Sequence, residues 1–197
     1  MEDERLRPWT FVHVTDIHVG SPRSFRFEPA WNENWQTAHE LILEMDPDIL
    51  LVGGDLTRDG GLHRHELEAT KADLESLPFP YHVIPGNMDT GNKHTDVPSP
   101  AKPERWDDIS LNLRSEQLNQ STSVFGPAWW SFTHKGVRFS GFCDMLIGSG
   151  LPEEEKLLKW LESQKKQPRA KHHVWIMHHA LFINDLHELN FDITDPK

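Results

Sequence analysis

Three apolar runs in the first half of the chain end in the same way. Residues 10–18 ("TFVHVTDIH"), 48–56 ("DILLVGGDL") and 81–87 ("YHVIPGN") each read as a strand of β-branched and apolar residues that runs into Asp, His, Asn or Gly. The middle run is too uniformly apolar for a half-exposed strand, so both of its faces are expected in the core. Between these runs the spacing changes. In "NENWQTAHELILEMD", Trp35, Ala38, Leu41, Ile42 and Met45 fall on one face of a helix, which Pro47 ends. "LHRHELEATKADLESL" is a second amphipathic helix, stopped by Pro78 and Pro80. Strand, helix, strand, helix, strand builds βαβ units, hence a parallel sheet covered by helices.

The second half patterns differently. Residues 90–108 are polar, contain Pro98, Pro100 and Pro103, and show no period, which predicts a long surface loop. "AWWSFTHKGVRFSGFCDM" predicts a β-hairpin about the turn His134-Lys135-Gly136. "LPEEEKLLKWLESQKKQ" predicts a helix with Pro152 in its first turn, three Glu near its positive dipole end, and Lys165 and Lys166 at the other. "HHVWIMHHA" is a last apolar strand that again ends in histidines. The tail from Leu181 carries no clear element, and there is no internal repeat or low-complexity tract.

Composition narrows the function. The 197 residues fit one domain, residues 1–197, and an apolar fraction of 37% with eight Trp supports a sizeable core. A formal net charge of −11 argues against long nucleic acid and anionic membrane as partners, since both reward a basic face. An anionic substrate stays open if metal ions supply local positive charge. Cys143 is the only cysteine, so no intrachain disulfide forms. "MEDERLRPW" is charged without an apolar h-region, and no window approaches about 18 apolar residues. A soluble cytoplasmic protein is the expectation.

In open α/β sheets, ligands bind at the carboxyl ends of the strands. Four predicted strands here end in Asp16/His18, Asp55, Asn87/Asp89 and His178/His179. Oxygen and imidazole donors without a thiol suit Mn²⁺, Fe or Zn²⁺. They outnumber the needs of one ion, and a carboxylate such as Asp55 can bridge two ions about 3.5–4 Å apart. Blander readings compete. Asp16 and His18 could cap the next loop, and Asn87 could form an Asx-turn. Asp89 could be structural. Asp55 could belong to a turn, although a carboxylate after a buried run needs a partner. His63 and His65 sit at a helix start, where side chains two apart diverge, so a solvated face is expected. His172 and His173 open a strand and should lie at the surface. Trp129, Trp130 and Phe132 read as core, with an aromatic substrate wall as the alternative.

D-x-H, then G-D, then G-N-x-D, then a strand ending in H-H, in this order over roughly residues 10–180, resembles the calcineurin-like metallophosphoesterase family. "GNMDTGNKHT" and "SGLPEEEKLLKWLE" look most like its branch of cytosolic phosphatases. The resemblance implies a four-layer α/β/β/α sandwich with two divalent or trivalent metal ions at the strand ends. Asp16 and His18 would hold the first ion, Asp55 would bridge, and Asn87 and His178 would hold the second. His178 is preferred to His179 because the family pattern is H-x-P, with Ala180 in the Pro position. The implied activity is hydrolysis of a phosphomonoester or small phosphodiester by metal-activated water, on a phosphorylated small molecule or phosphoprotein, with Asn87, Asp89 and His94 as the catalytic set.

Two departures stand out. Met88 occupies the place of the His that protonates the leaving group, and a thioether cannot donate a proton. His94 is the candidate replacement, by its proximity in sequence. The family's C-terminal G-H-x-H is absent, so the chain is expected to lack the strands that carry it. The alternatives are a cyclic-nucleotide phosphodiesterase or nucleotide pyrophosphatase, and a catalytically weak metal-binding interaction module. Neither oligomeric state nor natural substrate is legible in these motifs.

Overall fold

The computed structural model describes residues 8–24, 26–91 and 113–180. Its first half is a three-stranded parallel sheet in the order β1-β2-β3. The strands are β1 (Phe11–Val14), β2 (Ile49–Val52) and β3 (Tyr81–Val83), joined through α1 (Pro29–Met45) and α2 (Arg64–Glu75). The register pairs Val12 with Leu50 and Val52 with Val83. All four residues of β2 are buried, as its unbroken apolar pattern requires. Leu50 and Val52 meet Trp35 and Ile42 of α1 and Leu74 of α2 on one face. Ile49 and Leu51 point the other way.

β1 departs from the expected long buried strand. It is the edge of its sheet among the described residues, its burial alternates, and Phe11 is exposed. The strand stops at Val14 rather than His18. Asp16 and His18 have φ of 58° and 53°, a left-handed backbone that no strand accommodates.

The second half forms another three-stranded sheet, β4-β5-β6. β4 (Trp129–His134) and β5 (Val137–Phe142) make the expected hairpin, and β6 (His172–Ile176) lies parallel to β5. Lys135 and Gly136 both have positive φ, 43° and 84°, as a two-residue turn matched to strand twist requires. Phe139 and Ile176 pack on Ile49, Leu51 and Ile84 between the sheets, with Trp130 and Phe132 beside them. Trp130 also donates its indole N–H to Val83 O at 2.7 Å. These aromatics are therefore core, and Trp129 likewise packs beneath the outer helices.

On the far side, Phe142, Leu118 of α4 (Ser115–Phe125) and Leu157 of α5 (Pro152–Lys165) close a third cluster. The layers are thus helix, sheet, sheet, helix, as the resemblance implied. Helix α4 was not anticipated; its polar-rich sequence buries only Leu118, Ser121 and Val124. His172 and His173 are exposed, as expected. Among the described residues, no helix is long and apolar enough to cross a membrane.

Candidate metal centre

The loops after β1 and β2 stay joined beyond the strands. Asp16 N–H donates to Gly54 O, His18 N–H to Asp55 O and Val19 N–H to Leu56 O, at 2.9–3.0 Å. Three residues at this junction, Asp16, His18 and Asp55, hold left-handed backbones without being glycine. Such conformations cost on the order of 1–3 kcal/mol and persist where surrounding structure enforces them. Here they turn the Asp16 and Asp55 carboxylates toward one point and set the His18 ring beside Asp16.

After β3 the chain enters the one-turn helix α3 (Asn87–Thr90). Gly86 allows this turn to lie against Asp55: an added Cβ there would collide with the Asp55 backbone and carboxylate. Gly54, at φ +98°, leaves similar room for the His178 ring.

Donor atoms of Asp16, Asp55 and His178 all lie within 4.8 Å of one another. Asn87 joins them, its Oδ1 standing 3.2 Å from His178 Nε2. His18 Nε2 lies 3.7 Å from Asp16 Oδ1. Asp55 is buried, and its Oδ1 accepts the Met88 N–H at 2.8 Å and lies 3.4 Å from His178 Nε2. His178 Nδ1 lies 2.9 Å from Gly53 O, a carbonyl that only accepts, so the ring's N–H points there. The Nε2 lone pair then faces two oxygens, Asp55 Oδ1 and Asn87 Oδ1.

Three acceptors aimed at one another repel unless a proton or a cation sits among them. Without a cation the proton is retained. Burial pulls His178 down, but the hydrogen bond and charge of Asp55 outweigh it and lift the group to about 9. The same field attracts a metal ion, and the backbone-held Nδ1–H is the usual support for a metal-binding imidazole. His18 adds a buried Nδ1 that has no hydrogen-bond partner among the described residues. On these observations the donors fit hard or borderline cations such as Mn²⁺, Fe and Zn²⁺.

Asp89 lies behind this cluster rather than in it. Fully buried, it accepts the N–H groups of Gly86, Leu56 and Thr57 and the Thr57 hydroxyl at 2.6–3.2 Å. Burial, then the charge of Asp55, pushes its carboxyl up to about 6 against those bonds. Its geometry is that of a clamp joining the β2 and β3 loops, not of a group facing substrate. His94 lies outside the described residues.

His179 turns away to Asp144, whose Oδ2 receives His179 Nδ1 at 2.7 Å. Asp144 also accepts the backbone N–H of His178 at 2.9 Å. Burial would raise the Asp144 carboxyl, but its bonds to His179 and His178 hold it below the ordinary value. Asp144 was missed from sequence, and the only available signal was an acid directly after a buried strand.

His63 and His65 correct an expectation. Their rings are 5.6 Å apart instead of diverging, because His63 is the N-cap of α2, with φ −119° and ψ 81°, and not yet helical.

The calcineurin-like phosphoesterase family profile matches residues 10–195. Over 89 residues the chain is 33% identical to a probable cyclic nucleotide phosphodiesterase of Pseudoalteromonas sp. (strain SM9913), a match covering 45% of this chain. The matched part amounts to 33% of that protein's length. Among solved structures, the purple acid phosphatase PPD1 from yellow lupin (Lupinus luteus) seeds has a TM-score of 0.52 at 17% identity, covering 88% of this chain and 31% of that one. A dimetal phosphatase from Danio rerio has a TM-score of 0.41 at 14% identity, covering 68% and 43%. The lupin likeness is one of fold.

Proposed function

The chain belongs to the calcineurin-like phosphoesterase family, and from that premise we propose a hydrolase acting on a phosphomonoester or small phosphodiester with two bound metal ions. The convergence of Asp16, Asp55 and His178 within 4.8 Å carries this reading. Asp16 and His18 would hold one ion and Asn87 and His178 the other, with Asp55 shared between them and Mn²⁺, Fe or Zn²⁺ as the candidates. When bound, the ions supply Lewis-acid charge for the phosphate and bring the pKa of water toward neutrality.

The remaining work falls to the chain. Gly53 O holds the His178 tautomer whose Nε2 lone pair faces inward. Met88 N–H orients Asp55, and Asp89 keeps the two loops in register. The Met88 side chain cannot protonate a departing oxygen. Esters with strongly basic leaving groups should therefore react slowly unless another donor acts. A phosphorylated small molecule or phosphoprotein is the substrate class of this reading. The single cysteine, Cys143, buried in the second sheet's core, agrees with a reducing cytoplasmic setting.

The test is turnover of p-nitrophenyl phosphate and its bis ester by protein loaded with each metal, alongside metal content per chain. Metal-dependent hydrolysis of either ester is expected. No turnover with any metal, despite stoichiometric loading, would leave only a metal-binding module. A cyclic-nucleotide phosphodiesterase is the second reading, favoured by the Pseudoalteromonas relative. Turnover of a cyclic nucleotide in preference to the monoester would select it.

A further inference from the structure

Met88 touches two of the proposed ligands without being one of them. Its backbone N–H donates to Asp55 Oδ1 at 2.8 Å, and its carbonyl accepts the Gly61 N–H at 3.3 Å. Both ends of its main chain are therefore fixed against the loop after β2. Its side chain is half-buried, and its Sδ receives the Asn87 Nδ2–H at 3.4 Å. At the other end of the same amide, Asn87 Oδ1 lies 3.2 Å from His178 Nε2.

The oxygen and nitrogen ends of an Asn amide are nearly the same size, so packing does not choose between them and hydrogen bonds do. Here the choice decides whether Asn87 is a ligand. Its oxygen offers lone pairs to a hard cation, whereas its nitrogen offers only protons. The rest of the cluster is a poor guide. While His178 keeps its proton, that proton draws the Asn87 oxygen. An incoming ion must displace the proton, and the amide then faces the bare Nε2 lone pair and the Asp55 carboxylate, 3.4 Å apart. Both are acceptors, and both attract the nitrogen end. A flipped amide would bond to them and point its protons at the place of the ion. The Met88 sulfur opposes that flip from the outside. An imidazole at this position could accept from the amide nitrogen or donate to the amide oxygen, according to its tautomer. A thioether only accepts, so one orientation is selected.

Resting on the two-metal phosphoesterase reading, we propose that Met88 is a positioning residue for the second ion, its sulfur holding the Asn87 amide with the oxygen inward. Met88 supplies no proton to a leaving group, but it keeps one ligand ready. Without the sulfur, the metal-free protein stores part of its Asn87 flipped, and the apparent affinity falls by the fraction that stays competent.

Titration of the metal-free protein with Mn²⁺, by calorimetry and metal content per chain, tests this without turnover. Asn87→Ala identifies the binding step that belongs to Asn87. Met88→Leu fills nearly the same space without an acceptor. It should weaken that step about 3–10-fold, the range for one hydrogen bond, and leave the other step within about 2-fold. Met88→Gln, whose carbonyl accepts, should recover most of the loss. Met88→Ala also lacks the acceptor and serves if Met88→Leu fails to fold. The denaturant midpoint of metal-free Met88→Leu should match wild type, because a residue that only packs would move the midpoint and spare the metal step. An unchanged Asn87 step, equal losses at both steps, or no recovery in Met88→Gln would each overturn the proposal. A wild type in which Asn87→Ala removes no step would overturn it together with the assignment of Asn87 as a ligand. The expected metal pattern in a protein that hydrolyses no ester would count against the phosphoesterase reading and not against this one.

Discussion

The two sheets contribute to the centre in opposite ways. The parallel sheet delivers Asp16, His18, Asp55 and Asn87 from the carboxyl ends of three adjacent strands, so these residues meet as soon as β1, β2 and β3 pair. Among the described residues the second sheet delivers His178 alone, from the end of β6, and it arrives because Phe139 and Ile176 dock on Ile49, Leu51 and Ile84. One contribution follows from strand order, the other from the packing of one core cluster. A site built this way should respond unequally to damage in its halves.

The largest expected effect comes from Asp55, which the metal reading places between both ions. Asp55→Ala should remove nearly all metal from the purified protein and lower any phosphoesterase activity at least about 10³-fold. His18→Ala should lose mainly one ion. Metal content per chain decides, and equal loss from the two variants would contradict the bridge.

Next comes the docked half. Asp144 accepts the His178 and His179 backbone N–H groups and the His179 ring. Asp144→Ala leaves those donors unsatisfied and His178 less firmly aimed. A loss of about 10–100-fold in affinity for the second ion is expected, as for other groups that orient a metal-binding imidazole. The first ion should be retained. Asp144→Asn, which keeps acceptors for the backbone, should fall between. Titration of the metal-free protein with Mn²⁺ reads both steps, and simultaneous loss of both ions would show that the halves are not separable.

The smallest effect is on pH dependence without metal. His178 is raised in the folded state to about 9 from 6.5, chiefly by Asp55 overcoming burial. Its stabilisation is therefore fully present below about pH 6.5 and lost as pH rises through about 9. Asp89, raised to about 6 by burial and by the Asp55 charge, works in the same direction at lower pH. Its raised folded-state value costs stability as pH climbs from about 4 to about 6. Denaturant midpoints across pH 4–10 should decline in both windows, and Asp55→Ala should flatten the upper one. A midpoint that rises through pH 6.5–9 would contradict the coupling across the two sheets.

Much of the first half was legible in the chain itself. Runs such as "DILLVGGDL" name a buried strand and its polar end together, because burial on both faces demands continuous apolar residues and the turn after them demands Gly and Asp. Parallel pairing then puts like ends side by side, which is why Asp16, Asp55 and Asn87 could be grouped without coordinates. Tertiary structure alone decided the rest. It set the left-handed backbones of Asp16, His18 and Asp55, which loop-to-loop hydrogen bonds impose and residue type does not reveal. It turned Asp89 inward onto Gly86, Leu56 and Thr57, sent His179 to Asp144, and stacked Arg58 on Trp31. Each of these joins segments distant along the chain, and local spacing carries no information about a partner that only packing brings near.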